Sequence, residues 1–330
     1  MGVTMRDIGR QLGVSAVTVS KALAGKSGVS EETRRRVVRL AMELGYANPN
    51  AGEAKPLRSL DVGILIPDQF FSPDSFYATL CKELVQALTD AGHFGILEML
   101  TAQTEAELSL PRLMSGRHVD ALVLLGQPGR AYREMMAKQT TPVIFLDFYD
   151  PAIAADAVVG DSLCGAACMT DHLIERGHRD IGFVGDVRAT SSIMERYLGF
   201  ASAMLRGGLP IRPECVIPDR DEQGNFLPLP LPEKLPTAFV CNCDTAAARL
   251  IEQLQSRGLR VPEDVSVTGY DDFLPGAPAI PALTTFRVDR RAMVQTTIRL
   301  IAERCSGVKR PVGRVVIGGQ AVWRDSVQTL

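Results

Sequence analysis

The 330-residue chain has one tryptophan, four histidines and only 6% aromatics, and nowhere does it approach the roughly 18 uninterrupted apolar residues that a membrane span needs. Seven cysteines at irregular spacing make no disulfide framework. The close pairs Cys164/Cys168 and Cys241/Cys243 lack the histidines that would complete a four-ligand zinc site, so no metal is expected and the thiols read as buried and structural. Neither G-x-G-x-x-G nor G-x-x-x-x-G-K-[ST] occurs, so no phosphate-cradling loop and no cofactor are expected. The opening "MGVTMRDIGRQLG" lacks the apolar run of a secretory signal, which points to the cytoplasm.

Apolar residues make up 46% of the chain, enough for real cores, and the length suits two or three units of about 100–150 residues. The net charge of −2 hides an asymmetry: residues 1–60 carry ten Lys and Arg against five acids, a net of +5, and the remainder carries −7. A small basic head on an acidic body suits a polyanionic partner; a chance excess on a solvated face is the bland alternative.

The head reads as three short helices. Thr4 and Asp7 have capping-box spacing ahead of "MRDIGRQL", where Ile8 and Leu12 make an apolar stripe that Gly13 ends. Ser15 caps a second helix over 16–24, with Val19 and Leu23 inward and Gly25 at its end. Ser30, followed by Glu31 and Glu32, opens a third through Val37, Leu40, Ala41 and Leu44. Helix, glycine turn, helix and bracing helix form the helix-turn-helix pattern, although a small helical domain that binds protein would share it. The second helix leaves Ala16, Val17, Ser20 and Lys21 outward, small enough to enter a major groove. Ala16 and Val17 can meet thymine methyls, and Lys21 a guanine edge or phosphate. Thr4, Ser15, Ser30 and Thr33 stand where hydroxyls and helix N-termini hold phosphates.

The run "VTMRDIGRQLGVSAVTVSKALAG…VSEETRRRVVRLAMELGY" resembles the headpiece of the lactose-repressor (LacI/GalR) family of bacterial transcription regulators. The resemblance implies operator binding and adds Met5, Thr18 and Tyr46 to the DNA-contacting candidates. It also implies a hinge helix whose paired leucines wedge into the minor groove. Here "ANPNAGEAKPLRSLD" departs from that pattern: Gly52 and Pro56 are poor helix residues and Glu53 would face phosphate. Leu57 is the remaining candidate wedge.

From residue 61 strands alternate with helices: "DVGILIP", a helix in "FYATLCKELVQALTDAG", "FGILEML", a helix over 105–115, "VDALVLLG" and "PVIFLDF". A second series runs through "GAACMTDHLIERG", "DIGFVGD", "IMERYLGFASAMLRGG", "ECVIPD", "TAFVCN", "DTAAARLIEQLQSRG" and "VSVTGYDD". Such alternation means parallel sheets with helices on both faces, and a small-ligand cleft at the strands' C-terminal ends. Asp68, Asp147, Asn242, Asp271 and Asp272 stand at those ends, and Arg196 opens toward the same side. Carboxylates, an amide and a guanidinium hold vicinal hydroxyls, the chemistry of sugar recognition; strand-end Asp and Asn also cap helices.

"GHRDIGFVG", "ERYLGF", "VPEDVSVTGYDD", "PALTTFRVD" and "VWRDS" resemble the periplasmic-binding-protein-like core of the same family. The fold implied is an N-terminal all-α helix-turn-helix headpiece plus a two-lobed α/β core. The division expected is 1–47 headpiece, 48–60 linker, 61–159 with 288–317 the first lobe, and 160–287 with 318–330 the second. The resemblance implies ligand contacts at Asp147, Arg196, Asn242 and Asp271, with Phe76 and Tyr77 lining the pocket. It also implies a homodimer on palindromic operator DNA, released or recruited by a small effector, a sugar or sugar derivative. Three departures bear on the pocket: Cys243 follows Asn242 where Asp is usual; prolines 228, 230 and 232 replace a helix, which would open the cleft unless Phe226 fills it; and "DQFFSPDSFY" is long and aromatic. A cytoplasmic sugar-binding protein and a sugar-acting enzyme, with Asp147 and Asp271 as acid and base, are the alternatives; neither accounts for the basic head, and no nucleophile–base set accompanies the acids.

Overall fold

In the computed structural model, Thr4 opens helix α1 (Met5–Leu12) with a complete capping box. Its hydroxyl receives the Asp7 N–H at 3.3 Å, and Asp7 in turn accepts the Thr4 N–H and hydroxyl at 2.9 and 2.6 Å. Gly13 ends α1 at φ 68°. Ser15 receives the Thr18 N–H at 3.0 Å and starts α2 (Ala16–Leu23). Gly9, within α1, packs against the turn between the two helices: a Cβ there would lie 2.6 Å from the Val14 carbonyl oxygen, so only glycine permits the approach. Thr33, Arg36, Val37 and Leu40 are helical, and Ser30 receives the Thr33 N–H at 3.2 Å. Ile8, Val19, Ala22 and Val37 close a small core, with Met5, Leu12, Val14, Val29 and Leu40 against it.

The structure describes residues 4–23, 29–30, 33, 36–37, 40, 59–72, 74–115, 119–221, 224–273, 282–308 and 310–330. Residues 1–59 and 60–330 form separate compact units. Tyr46, the hinge and Leu57 lie outside the described residues, as does the Leu23 side chain. No described helix is long and apolar enough to cross a membrane.

The second unit carries two six-stranded sheets. The first is parallel throughout. It comprises β1 (Asp61–Pro67), β2 (Phe94–Leu100), β3 (Ala121–Leu125), β4 (Val143–Leu146), β5 (Asp156–Gly160) and β11 (Arg314–Ile317), in the order β11-β5-β4-β3-β1-β2. The second comprises β6 (Ile181–Val184), β7 (Val216–Ile217), β8 (Ala238–Cys241), β9 (Ser266–Asp271), β10 (Thr284–Val288) and β12 (Gly319–Val322). Its order is β12-β10-β9-β8-β6-β7, with β12 antiparallel to β10. The chain changes sheets after Gly160, after Val288 and between Ile317 and Gly319.

Both faces of the central strands β1, β3, β4, β6, β8 and β9 are buried, which is why most of these strands read as continuous apolar runs. In β1 and β3, Val62, Ile64, Ile66, Ala121, Val123 and Leu125 face one core with α3 (Phe76–Asp90) and α10 (Arg290–Cys305). Leu65, Leu122 and Leu124 face the other, with Tyr132 and Met136 of α6 (Arg130–Ala137). In the second sheet, α9 (Asp244–Ser256) covers one face; α7 (Ser162–Glu175) and α8 (Ser191–Arg206) cover the other. Each fully buried Leu, Ile or Phe contributes roughly 1.5–3 kcal/mol to this arrangement.

Three local expectations change. The helix expected over 105–115 is two short pieces, α4 (Ala102–Ala106) and α5 (Arg112–Ser115); Leu108 turns at φ 53° and Pro111 has no N–H to continue a ladder. "ECVIPD" yields only Val216–Ile217, because Pro213 first sets a 3-10 turn over Pro213–Cys215 and Pro218 follows. Cys164 is exposed rather than buried, since it faces solvent in the first turn of α7, and Cys168, Cys243 and Cys305 are half-buried; Cys81, Cys215 and Cys241 are buried.

Candidate functional site

A cavity of about 530 Å³ lies between the two sheets at their strand ends, lined from both sides, a size that suits a small polar ligand. All six expected ligand residues line it: Phe76, Tyr77 and Asp147 from the first lobe, Arg196, Asn242 and Asp271 from the second. Asp147 directly follows β4, Asn242 directly follows β8, and Asp271 is the last residue of β9. Two of these acids hold a backbone that L-residues rarely adopt, Asp147 at φ 69° and Asp271 at φ 104°. Such strain costs on the order of 1–3 kcal/mol per residue and is retained where a side chain must be aimed.

Arg196 is the centre of the site. It is 6% exposed, projects from the second turn of α8, lies 3.8 Å above the Tyr270 ring and donates to the Asn242 carbonyl at 2.6 Å and to Asp271 at 3.2 Å. Burial presses its proton off, but Asp271, Tyr270 and Asp147 outweigh that and keep it charged. Its Nε is buried without a partner among the described residues. Burial raises the Asp271 carboxyl to about 8, against the pull of Arg196. Burial likewise raises Asp147, while Arg196 and the Tyr77 hydroxyl, which donates to it at 2.8 Å, pull it down. Burial and the neighbouring Asp147 hold Tyr77 well above the usual phenol range. The cleft therefore offers carboxyls, a phenol and a guanidinium that accept and donate to hydroxyl groups.

Asn242 supports this arrangement from behind. Its amide donates to the Val184 carbonyl at 3.0 Å and to Asp219 at 2.8 Å, and its oxygen accepts from Arg220 at 3.3 Å. Asp219, fully buried, holds Arg220 through two bonds at 3.0 and 2.7 Å. Burial alone would raise the Asp219 carboxyl, but Arg220, the Asp186 N–H and Asn242 hold it below the usual range. Sequence reasoning missed Asp219 and Arg220, although Asp219 stands two residues beyond the end of β7, a strand-end polar residue like the others. It also missed Arg249 and Phe273, which line the same cavity.

The other strand-end acids have different work. Asp68 opens an exposed 3-10 turn outside the cavity lining, where Gln69 and Phe70 face in instead. Asp272 pairs with Arg287 at 2.7 Å and Arg324 at 2.5 Å. Cys243 caps α9 through its sulfur, which receives the Ala246 N–H at 3.4 Å, and burial pushes its thiol up to about 12. The following Asp244 accepts the Phe273 N–H and the Thr285 hydroxyl, both at 2.6 Å, and burial raises it to about 7.

The proline-rich segment contributes to the cavity lining. Arg220 and Phe226 pair across a small antiparallel turn, and Phe226 faces the cavity. Leu229 is buried, and Gln253 bonds to its N–H and carbonyl at 3.1 and 2.7 Å. A Cβ on Gly224 would lie 3.9 Å from Phe70 and 4.0 Å from Gln69, so this turn reaches the first lobe.

In the first unit, Val17 is 65% exposed and Lys21 is exposed, with Ala16, Thr18 and Ser20 half-buried between them. The Ser15 and Thr18 hydroxyls bond at 2.8 Å, and those of Ser30 and Thr33 at 2.9 Å. The Thr4 hydroxyl donates to Asp7 at 2.6 Å, and Met5, partly buried, packs against the small core.

Two family models match the chain: Bacterial regulatory proteins, lacI family, over residues 4–50, and Periplasmic binding protein-like domain over residues 170–327. The ribose operon repressor of Haemophilus influenzae is 26% identical over 334 residues, covering 99% of each chain. The HTH-type transcriptional repressor PurR of Vibrio parahaemolyticus is 28% identical over 339 residues, again covering 99% of each. Among solved structures, a transcriptional regulator CelR-cellobiose complex matches with a TM-score of 0.70 at 24% identity, over 98% of this chain and 99% of that one.

Proposed function

Since this chain belongs to the lacI family of bacterial regulatory proteins and is a DNA-binding transcriptional regulator, we propose that it is a repressor whose operator affinity is set by a sugar or sugar derivative bound between its lobes. The observation that carries the effector reading is the pair of strained acids, Asp147 and Asp271, aimed from different sheets into one cavity beside Arg196. A ligand that bridges them binds the two lobe arrangements unequally, and only that difference can be passed to the head. Residues 1–47 act as the headpiece and 48–60 as the linker; the first lobe takes 61–159 with 288–317 and the second 160–287 with 318–330. Ala16, Val17, Ser20 and Lys21 read the major groove, and Ser15, Thr18, Ser30 and Thr33 hold phosphates. A homodimer in the cytoplasm places two such heads on a palindromic site.

The cleft binds rather than turns over its ligand. Asp147 is engaged by Tyr77 and Asp271 by Arg196, and the one thiol in the lining, Cys243, is a protonated helix cap.

Operator selection from random duplexes, followed by anisotropy titration with a panel of sugars, tests this reading. A palindromic consensus is expected, along with at least one sugar that changes operator affinity. Asp147→Ala should abolish that response and keep DNA binding. A full panel that changes neither operator affinity nor melting temperature would end the sugar-effector reading.

A further inference from the structure

In the cavity lining, two guanidinium groups flank one aromatic ring. Arg220 lies 4.7 Å and Arg249 5.3 Å from the Phe226 ring centre, and all three line the cavity. Arg220 spends its Nε and one terminal nitrogen on Asp219, with the latter also reaching Asn242, so that its charge is balanced from behind. Arg249 differs. It is exposed in the second turn of α9, and among the described residues no carboxylate pairs with it and no hydrogen bond engages it. Elsewhere in the cavity, acids and cation come together: Asp147, Asp271 and Arg196.

Resting on the sugar-effector reading above, we infer that the effector is an anionic sugar, a sugar acid or sugar phosphate, whose oxyanion is received by Arg249 and Arg220 beside Phe226 while its hydroxyls meet Asp147, Asp271 and Arg196. The cleft is bipolar. Asp74, Asp147 and Asp271 line the cavity with Arg196, and of the two guanidinium groups beside Phe226 only Arg220 has a carboxylate partner among the described residues, the buried Asp219. Guanidinium groups bind carboxylate and phosphate through paired N–H donors, and an aromatic face between two of them holds both in place. The turn that carries Arg220 and Phe226 also touches Gln69 and Phe70 of the first lobe.

The test is isothermal titration of the full-length protein with pentoses and hexoses, each as the neutral sugar, its uronic or aldonic acid and its terminal phosphate. The proteins compared are the wild type and Arg249→Gln, an exposed change that leaves the Asp219–Arg220 pair intact. One anionic form should bind at least about tenfold tighter than its neutral parent, as a charged hydrogen bond warrants. Arg249→Gln should narrow that gap, weakening the anionic form more than its neutral parent. Acid and phosphate arms show which oxyanion fits. A neutral sugar that binds as tightly as its anionic forms, or an anionic sugar indifferent to Arg249→Gln, overturns the inference and leaves the sugar-effector reading standing. Failure of every form to bind overturns both.

Discussion

Asp244 gives the sharpest prediction, because its carboxyl is 2% exposed and raised to about 7 by burial. Its unfolded value is the ordinary 3.8. Between those values the folded chain keeps a proton that the unfolded chain has lost, so stability falls as pH rises from about 4 to 7 and levels off above. At about 1.4 kcal/mol per pH unit, Asp244 removes at most about 4 kcal/mol by pH 8. Asp271, raised to about 8 by burial, acts in the same direction. His172 and His178 oppose both up to pH 6.5: burial lowers them, so the unfolded state holds their protons longer and stability rises with pH there. A comparison with Asp244→Asn cancels the histidines. Asparagine keeps the geometry: its oxygen accepts the Phe273 N–H, and its amide donates to the Thr285 hydroxyl, which changes from donor to acceptor. Calorimetric melts at constant ionic strength from pH 5 to 8 should therefore show an advantage for the variant of about 1.6 kcal/mol at pH 5 that grows with pH. At pH 8 the advantage should reach at most about 4 kcal/mol, or about 8–16 °C at roughly 2–4 °C per kcal/mol for a unit of this size. A variant that melts in parallel with the wild type across the range would refute the burial argument.

Two further outcomes follow from the same geometry. Gly9→Val sets a side chain where even a Cβ lies 2.6 Å from the Val14 carbonyl, so the head should unfold and operator binding by anisotropy should fall at least about a hundredfold; the calorimetric transition of residues 60–330 should stay in place, and loss of that transition would contradict the division into two units. Tyr77→Phe leaves the buried Asp147 without its phenol donor, which should cost about 1–3 kcal/mol of stability and weaken effector binding in titration calorimetry; unchanged melting would mean that Asp147 is satisfied by water instead.

What the sequence disclosed, and what it hid, follows the reach of each signal. Strand-end reasoning needs only the period of a strand and the residue after it, so Asp147, Asn242 and Asp271 were visible as candidates for one cleft. The same reasoning admitted Asp68 and Asp272, because nothing local shows that β1 ends in an exposed turn or that Arg287 and Arg324 converge on Asp272. Strands β11 and β12 are four residues each and join different sheets across a single residue, a change that no periodicity records. Arg220 lies among prolines and acids with no repeating pattern, and Arg249 looks like an ordinary solvated position on an amphipathic helix. Only tertiary packing puts Phe226 between them. The residues that resemblance supplies are Asp147, Arg196, Asn242 and Asp271, and all four line the cavity. Arg220 falls in the proline-rich segment and Arg249 on a helix that meets it at Phe226, so their meeting in one cavity is a long-range feature that a local reading is least able to see.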